Sequence, residues 1–316
     1  MKLIKQSFQF VNQKGFTLKD IYKHIEYCAR ISYKSQDKIT DTSYEKFVNM
    51  LESRGHDRPL EFGTVHLKMI LPDFQGFMNS LLTIGVLNNI WIKSAYVGDI
   101  VYITTNYRYY LNIIKYFPNI KEYFTEEDNE YYPKRYTIHM ILDRGVMDEF
   151  RTHVGLSHLA ESTRYCRYSK KKFGSEITFI KPCWLNVPEG KYNHCIMVSK
   201  NSPDIRVECV GSDEIGKYYN IGENEGLFLN GLIQSELTYL HLINNKKWTP
   251  QQARSVLPLG IKSELISCGF EDAWTNFMRR RSPKYGDPGA HPMAAEIADK
   301  LCEEFLKRGF IDEKKI

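Results

Sequence analysis

The sequence predicts an α+β protein in which mixed helices surround a mainly antiparallel sheet. Several long segments repeat apolar residues every three or four positions, as amphipathic helices do, and several short segments are rich in β-branched and aromatic residues, as strands are. The two patterns do not alternate regularly along the chain, which argues against a parallel sheet built from βαβ units. The 316 residues are expected to form one domain, 1–316, with a sizeable core.

The segment Thr64–Leu71 has the alternation of a half-buried strand. Apolar residues occupy every second position, and His66 and Lys68 are expected on the opposite, polar face. The triplet Leu71-Pro72-Asp73 is expected to end this strand and to cap the helix that follows.

The other elements are placed by the same periodicities and by capping residues. Thr249 before Pro250 predicts a helix start, with threonine as the cap and proline in the first turn. Residues 183–222 are polar and rich in Gly, Pro and Asn, so they are expected to form a surface insertion. The remaining helices are predicted at 17–33, 43–54, from about Val146, at 226–244 and at 292–308, and the remaining strands at 100–105, 136–142 and 177–180.

Composition indicates a globular protein with a small anionic partner. The net charge of +5 suits an anionic substrate and gives no reason to expect nucleic acid as a partner. No apolar run approaches the ~20 residues that a membrane span needs, and the N-terminus lacks the apolar region of a signal peptide. A cytoplasmic protein without membrane contact is therefore expected.

Cysteines and histidines give no metal-binding pattern. The seven cysteines are scattered without a CxxC pair, which favours free thiols over disulfides or a zinc site. His153 and His158 are five residues apart, not the four that put two ligands on one helical face. His291 precedes Pro292 and is expected at a helix entrance. No metal site is predicted.

Three basic clusters carry candidate chemistry. Residues 161–172 alternate hydroxyl groups with Arg and Tyr before a run of lysines, and arginine offers a planar fork to phosphate or to a base carbonyl. Arg254 stands just before an apolar run and a proline, and 279–281 are three arginines that point about 100° apart on a helix. Taken alone, these clusters also fit a solvated loop, an ion pair and a small nucleic-acid patch, respectively.

Four segments, in this order, resemble the flavin-dependent thymidylate synthases. The resemblance runs from about Arg58 to Ile311, which is most of the chain. The segments are Pro59–Val65, Asp143–Val146 continuing to Glu161–Tyr165, Pro250–Leu259, and Trp274–Arg281 with His291-Pro292.

The resemblance implies the fold, assembly and chemistry of that family. It implies a homotetramer with active sites between subunits, which methylates deoxyuridine monophosphate (dUMP) at C5 to dTMP. Methylenetetrahydrofolate would donate the carbon, and FAD reduced by NADPH would supply the hydride. No enzyme nucleophile attacks the base in this family, and the sequence shows no nucleophile elbow.

The resemblance also assigns residues to the two halves of the site. The expected nucleotide-binding residues are Glu149, Glu161, Ser162, Thr163, Arg164, Arg254 and Arg281. The expected flavin-binding residues are Thr64, Thr152, His153, Val154 and Asn276. Arg281 is the expected catalytic residue, because a fixed guanidinium can stabilise negative charge as it develops on the uracil ring.

The sequence departs from the family on the flavin side. The family's Arg-His-Arg signature reads Thr152-His153-Val154, so both arginines are absent, and Arg151 lies one residue early. Phe62 replaces a histidine, Ala160 a glutamate and Asp272 an arginine. Losing two cationic contacts would cost several kcal/mol if each charge-assisted hydrogen bond contributes ~1.5–3 kcal/mol.

Three hypotheses fit this pattern. One is a working synthase in which Arg144, Arg151 or His158 from a neighbouring subunit compensates for the missing flavin contacts. Another is a homologue with changed C5 chemistry, such as hydroxymethylation. The third is a nonenzymatic nucleotide-binding protein, and a purified protein with flavin absorbance would favour the first over the third.

Overall fold

The computed structural model describes residues 1–85, 87, 90–162, 164, 168, 176–197, 205–209, 217–312 and 314. The helices within these residues are α1 (Leu18–Tyr33), α2 (Ser43–Ser53), α3 (Leu71–Thr83), α4 (Tyr107–Tyr116), α5 (Arg144–Phe150), α6 (Glu223–Asn244), α7 (Pro250–Ala253), α8 (Glu271–Arg281) and α9 (Pro292–Lys307). The strands are β1 (Lys2–Ile4), β2 (Ser7–Phe10), β3 (Thr64–Ile70), β4 (Ile92–Val97), β5 (Ile100–Asn106), β6 (Phe124–Thr125), β7 (Arg135–Asp143), β8 (Ser157–Ala160), β9 (Thr178–Ile180), β10 (Gly190–Met197), β11 (Ile205–Cys209), β12 (Lys217–Ile221) and β13 (Lys262–Phe270).

Three sheets organise these elements. Their strand orders are β12-β11-β10-β1-β9, β2-β7-β13-β8 and β4-β5-β3-β6. β1 pairs with β9 in parallel, whereas the other strand pairs in the described part of the chain are antiparallel. The α+β class with a mainly antiparallel arrangement is therefore confirmed.

The sheet β2-β7-β13-β8 supports the site described below. β13 lies inside this sheet and pairs with β7 on one edge and with β8 on the other. Helices α5, α8 and α9 pack against it through a buried apolar cluster that includes Met147, Trp274 and Leu301. The stripe predicted for the last helix lies in this cluster, and its members are Ala294, Ile297, Leu301 and Phe305.

Two local predictions around β3 are wrong. Asp73 does not cap α3, because the helix begins at Leu71 and Asp73 lies inside its first turn, where it accepts a hydrogen bond from Tyr123. His66 does not face water. It is 1% exposed and its ring stacks between Phe16 and Tyr132, with centroid distances of 3.7 and 3.9 Å. Segments distant in sequence cover the face that alternation alone marked as polar.

Residues 183–222 contribute strands to the first sheet. β10 pairs with β1, and β11 and β12 extend the sheet beyond it. These strands were not predicted, because the segment is polar and rich in Gly, Pro and Asn. Its origin as an insertion, and the single-domain organisation of 1–316, stay predictions. Within the described residues, no helix combines the length and apolar character needed to cross a bilayer.

Three buried histidines make the stability of the fold depend on pH. Burial lowers the pKa of His24 from 6.5 to about 3, and lowers those of His66 and His158 to about 4. Below pH 6.5 the unfolded chain therefore binds more protons than the folded chain does. Their contribution to stability is complete above that pH and is lost as the pH falls towards the folded-state values.

Acidification from pH 7 to pH 5 is therefore expected to lower the free energy of unfolding. Each histidine contributes a slope of about 1.4 kcal/mol per pH unit once the pH is below its unfolded pKa. Urea unfolding at a series of pH values measures this slope. His24→Gln should reduce the slope by the share of one histidine, because glutamine does not titrate. An unchanged slope in that variant would contradict the role given to His24.

Candidate active site

A cavity of about 320 Å³ beside the end of β8 has five arginines in its lining. We call it the arginine cavity, because it is lined by Arg58, Arg144, Arg151, Arg164 and Arg254. Its other lining residues are Ser32, His158, Leu159, Ala160, Glu161 and Ser162. The structure thus brings together four predicted nucleotide-binding residues, Glu161, Ser162, Arg164 and Arg254. Five guanidinium groups against one lining carboxylate suit a phosphate group, to which arginine binds in a bidentate manner.

Asp148 holds two of these arginines. It lies on α5, four residues after Arg144 and three before Arg151, a spacing at which helical side chains meet. Its carboxylate accepts from Arg144 Nε at 3.0 Å and from Arg151 Nη1 at 3.1 Å. α5 and the residue that caps its C-terminus therefore present two oriented guanidinium groups to the arginine cavity.

Pairing between β8 and β13 fixes the neighbouring side of the cavity. Ala160 pairs with Leu265, and the next backbone N–H, that of Glu161, donates to the carbonyl of Glu264 at 2.8 Å. The N–H of Ser162 donates to the carbonyl of Ser32 on α1 at 3.3 Å. The backbone that carries the two predicted nucleotide contacts is therefore anchored on both sides.

Arg254 stands on a capped turn, as the sequence predicts. Thr249 precedes α7 as its cap, and its N–H donates to Gln252 Oε1 at 2.9 Å. Ala253 is fully buried, whereas Arg254 is exposed at the start of a 3₁₀ turn that ends at Val256. An anchored backbone with an exposed guanidinium is what binding a mobile anion requires.

Glu161 belongs to a charged cluster beneath the arginine cavity. The cluster consists of Lys34, His139, Glu161, Lys262 and Glu264. Glu161 is 2% exposed, and Lys262 Nζ lies 2.9 Å from its Oε2 and 2.6 Å from Glu264 Oε1. Lys34 contacts both carboxylates, and His139 Nε2 lies 3.0 Å from Glu264 Oε2. The carboxylate of Glu161 is thus held in one orientation.

Opposite charges outweigh burial within the charged cluster. Burial raises the pKa of Glu264, but the hydrogen bond from His139 and the ammonium groups of Lys262 and Lys34 hold that pKa well below its usual range. Burial likewise lowers the pKa of Lys262, but Glu161 and Glu264 raise it above its ordinary value. Lys262 and Glu264 therefore stay charged at neutral pH.

A second cavity of about 520 Å³ shares a wall with the first. We call it the tryptophan cavity. It is lined by Arg58, Glu61, Ile90, Trp91, Arg108 and residues 151–158. Three predicted flavin-binding residues, Thr152, His153 and Val154, come together here. The two cavities are neighbours, because Arg58, Arg151 and His158 line both.

The two histidines of the tryptophan cavity are neutral at pH 7. Burial lowers the pKa of His158 to about 4 and also lowers the pKa of His153. His158 Nδ1 lies 2.8 Å from the hydroxyl of Ser267, and its Nε2 lies 3.2 Å from the carbonyl of His153, so Nε2 carries the proton. His153 Nε2 similarly donates to the carbonyl of Ala273 at 3.3 Å. The positive charge of both cavities therefore comes from arginines.

Two further nucleotide-binding candidates pair with each other instead. Arg281 Nη1 donates to Glu149 Oε2 at 2.9 Å, and its Nη2 donates to the backbone carbonyl of Glu149 at 3.1 Å. Neither residue lines the two cavities in the described part of the chain. Thr163, the remaining candidate, lies outside the described residues.

Two flavin-binding candidates also lie apart from the cavities. Thr64 is buried, and its hydroxyl accepts a hydrogen bond from Arg135 at 3.0 Å. Asn276 is exposed on α8 and accepts a hydrogen bond from Arg280 at 2.9 Å. Within a single chain, each of these two side chains therefore accepts a hydrogen bond from an arginine of the same chain.

Two of the residues that depart from the family, Phe62 and Asp272, make structural contacts. Phe62 is fully buried in a cluster with Cys28, Leu159 and Ile266. Asp272, at the start of α8, pairs with Lys93 at 2.7 Å. Phe62 thus contributes to a buried apolar cluster, and Asp272 forms an ion pair.

Sequence reasoning missed several residues of the site, among them Asp148, Arg58, Trp91 and Arg108. Asp148 could have been found, since its spacing from Arg144 and Arg151 predicts shared ion pairs on a helix. Arg58, Trp91 and Arg108 reach the tryptophan cavity only through tertiary packing, and no local pattern marks them.

Comparisons with known proteins give a family and a weak structural likeness. A search of curated proteins finds no match. Two crystal structures of the UMP/dUMP methylase PolB from Streptomyces cacaoi, bound with 5-Br dUMP and with 5-Br UMP, are 13% identical to the chain. Both matches cover 97% of this chain. The match to the 5-Br dUMP structure covers 93% of the PolB chain with a TM-score of 0.38, and the match to the 5-Br UMP structure covers 91% with a TM-score of 0.39. Identity and TM-score are both low, so this likeness says nothing about the ligands of this chain.

The family match is more extensive. Residues 134–308 match the family model described as thymidylate synthase complementing protein. The match includes β7, α5, β8, α7, β13, α8 and α9 and therefore most of the arginine cavity. Because it spans more than half of the chain, this protein belongs to the thymidylate synthase complementing protein family, the flavin-dependent thymidylate synthases that its motifs resemble.

Proposed function

We propose that this protein is a flavin-dependent thymidylate synthase. It methylates dUMP at C5 to give dTMP, with methylenetetrahydrofolate as the carbon donor and FAD, reduced by NADPH, as the hydride donor. The observation that carries the proposal is the shared wall between the arginine cavity and the tryptophan cavity. A nucleotide and a cofactor bound on either side of it would lie next to each other.

The arginine cavity supports binding of a nucleotide monophosphate. Its size is at the lower end of the range for small-molecule sites, about 300–1,000 Å³. Ser162 and Arg164 would contact the phosphate, and Arg254 would contribute a further cationic contact. The charged cluster holds Glu161 beside them, so the orientation of this wall does not depend on the ligand.

The residues of the tryptophan cavity fit a flavin dinucleotide. Arginines complement the diphosphate, Trp91 offers an aromatic face, and His153 and Thr152 offer hydrogen-bonding groups. When bound and reduced, FAD supplies a hydride to the carbon that the folate donates. The chain's own residues bind the two ligands, orient them and exclude water.

The chemistry needs no enzyme nucleophile, and no cysteine is among the described residues that line the two cavities. The free thiols described by the structure are Cys28, Cys183, Cys195, Cys268 and Cys302. Activation of the base would depend on Arg281, whose guanidinium favours the anionic form of the uracil ring. Arg281 pairs with Glu149 in a single chain, so this role requires the homotetramer with sites between subunits that the family resemblance implies.

Product analysis tests the proposal. The protein would be incubated with dUMP, methylenetetrahydrofolate, NADPH and FAD, and the nucleotide mass would be measured. A product in which one hydrogen is replaced by a methyl group supports it. A hydroxymethylated product would favour the changed chemistry that the lost signature arginines suggest, and unmodified dUMP that nonetheless binds would favour a nonenzymatic protein.

Arg164→Gln is expected to raise the Kd for dUMP by at least about tenfold, since a charge-assisted hydrogen bond contributes ~1.5–3 kcal/mol. Calorimetric titration with dUMP and with deoxyuridine, which lacks the phosphate, measures the effect. Only dUMP should lose affinity. Arg54→Gln, an exposed arginine at the end of α2, is the matched control. Equal losses for both ligands would contradict a phosphate contact.

A further inference from the structure

The tryptophan cavity receives positive charge from outside the family-matched segment. Arg58 begins the 3₁₀ helix Arg58–Phe62, and Arg108 lies in the first turn of α4. Both residues precede 134–308, the segment that the family model matches. With Arg151 they give the cavity three arginines against one lining carboxylate, that of Glu61.

Arg108 is held in place from two sides. Its Nη1 donates to Glu61 Oε1, and its Cζ lies 5.4 Å from the centroid of the Trp91 ring. Glu61 is 8% exposed and also accepts a hydrogen bond from Ser157 at 2.6 Å. Its Nη2 also lies 3.6 Å from Asp57 Oδ2. A guanidinium has five N–H donors, so the contacts with Glu61 and Asp57 still leave donors for a ligand. The result is an oriented cation beside an indole face.

Arg58 has a different environment. Its side chain is exposed, and among the described residues no carboxylate forms an ion pair with it. It lies on the wall that the tryptophan and arginine cavities share. Because its charge is not compensated locally, the site gains an anion-binding group at no cost in broken ion pairs.

We propose that Arg58 and Arg108 bind the phosphate groups of an aromatic dinucleotide cofactor in the tryptophan cavity. This inference rests on the proposed function for the identity of that cofactor as FAD. The two arginines supply the positive charge that Thr152 and Val154 cannot, and the face of Trp91 lies in the same cavity for an aromatic ring. Cations from outside the family-matched segment thus take over a role that the signature segment no longer fills.

Arg108→Gln tests the proposal, because Arg108 lines the tryptophan cavity and not the arginine cavity. Purified protein would be titrated with FAD and with riboflavin by fluorescence, and with dUMP by calorimetry. The Kd for FAD should rise by about tenfold or more. Affinity for riboflavin, which lacks phosphate, and for dUMP should be unchanged. The matched control is Lys115→Gln. Lys115 lies on the same helix and lines a neighbouring cavity together with Arg108, and this variant should bind FAD as the wild type does.

A second set of variants distinguishes loss of FAD binding from loss of folding. Arg108→Gln leaves the buried carboxylate of Glu61 without its cation, whereas the double variant Glu61→Gln/Arg108→Gln removes both charges. Arg58→Gln removes an exposed side chain and breaks no described ion pair. Both should weaken FAD binding, and thermal unfolding shows that each remains folded.

Each outcome decides the proposal. Unchanged FAD affinity in Arg58→Gln and in both Arg108 variants overturns it and leaves the proposed function standing. Equal losses for FAD and riboflavin overturn the phosphate assignment. Selective loss of FAD in variants of a protein that does not methylate dUMP supports the inference and overturns the proposed function. A wild-type protein that does not bind FAD overturns both.

Discussion

Arg281→Ala is expected to lower the turnover of dUMP by about 10²–10³-fold and to leave the fold intact. A fixed guanidinium stabilises the charge that develops on the ring only as reaction proceeds, and removing such a group lowers kcat by about 10²–10³-fold. Arg281 is fixed, since Glu149 accepts two hydrogen bonds from it and its Cζ lies 6.0 Å from the Phe150 ring centroid. The side chain of Glu149 is 41% exposed, so loss of this pair should cost little stability.

Steady-state kinetics and dUMP titration of the same variant separate catalysis from binding. A fall in kcat that exceeds the rise in Kd places Arg281 in the chemical step. Arg279→Ala, an exposed arginine on the same helix, is the matched control and should retain activity. If Arg281→Ala turned over dUMP at the wild-type rate, Arg281 would have no place in the mechanism.

Lys262→Met is expected to lower the free energy of unfolding by about 3 kcal/mol. Removing one partner of a buried ion pair leaves an uncompensated charge, which typically costs ~3–5 kcal/mol. Here Glu161 and Glu264 would both lose their shared ammonium group, while Lys34 would still contact them. The expected cost is therefore at the lower end of that range. Urea unfolding at pH 7 measures it.

Two comparisons identify the cause of this loss. Lys284→Met removes a lysine from an exposed pair with Glu303 and should barely change stability. The difference in free energy of unfolding between wild type and Lys262→Met should become smaller as the pH falls below 4.5, the ordinary pKa of a glutamate. Lys262 helps to keep Glu264 charged in the wild-type fold, so the wild type loses more stability than the variant when the unfolded chain takes up a proton at that carboxylate. A loss that is independent of pH there would indicate lost packing instead of lost charge pairing.

Elements with one apolar face were predictable from sequence. α1, α9 and β7 follow their periodicities closely, and Thr249 caps α7 as expected. The meeting of Glu161, Ser162 and Arg164 in one cavity was also predictable, because they are neighbours in the chain. Arg254 was placed with them by the family resemblance, and it lines the same cavity.

β13 shows why other elements could not be predicted. It begins Lys262-Ser263-Glu264, a polar sequence that indicates an exposed segment, yet Ser263 is fully buried and Glu264 nearly so. The charges are tolerated because Lys34 and His139, distant in sequence, are opposite them. Arg108 and Trp91 are similar cases, since a cation beside an indole is visible only once the sheet β4-β5-β3-β6 and α4 are assembled.

The shared wall limits which changes of sequence this protein can tolerate. Residues 151–158 line the tryptophan cavity and residues 158–162 line the arginine cavity, and within this stretch β8 is registered against β13. Adding or deleting a single residue in β8 would turn every following side chain of the strand to the opposite face and would alter the lining of both cavities in one step. Diversification is thus confined to exchanging side chains within a stretch of constant length, or to recruiting groups such as Arg58 and Arg108 from elsewhere. Attempts to re-engineer nucleotide preference should likewise avoid this stretch and begin at Arg254, whose turn stands on an independent scaffold.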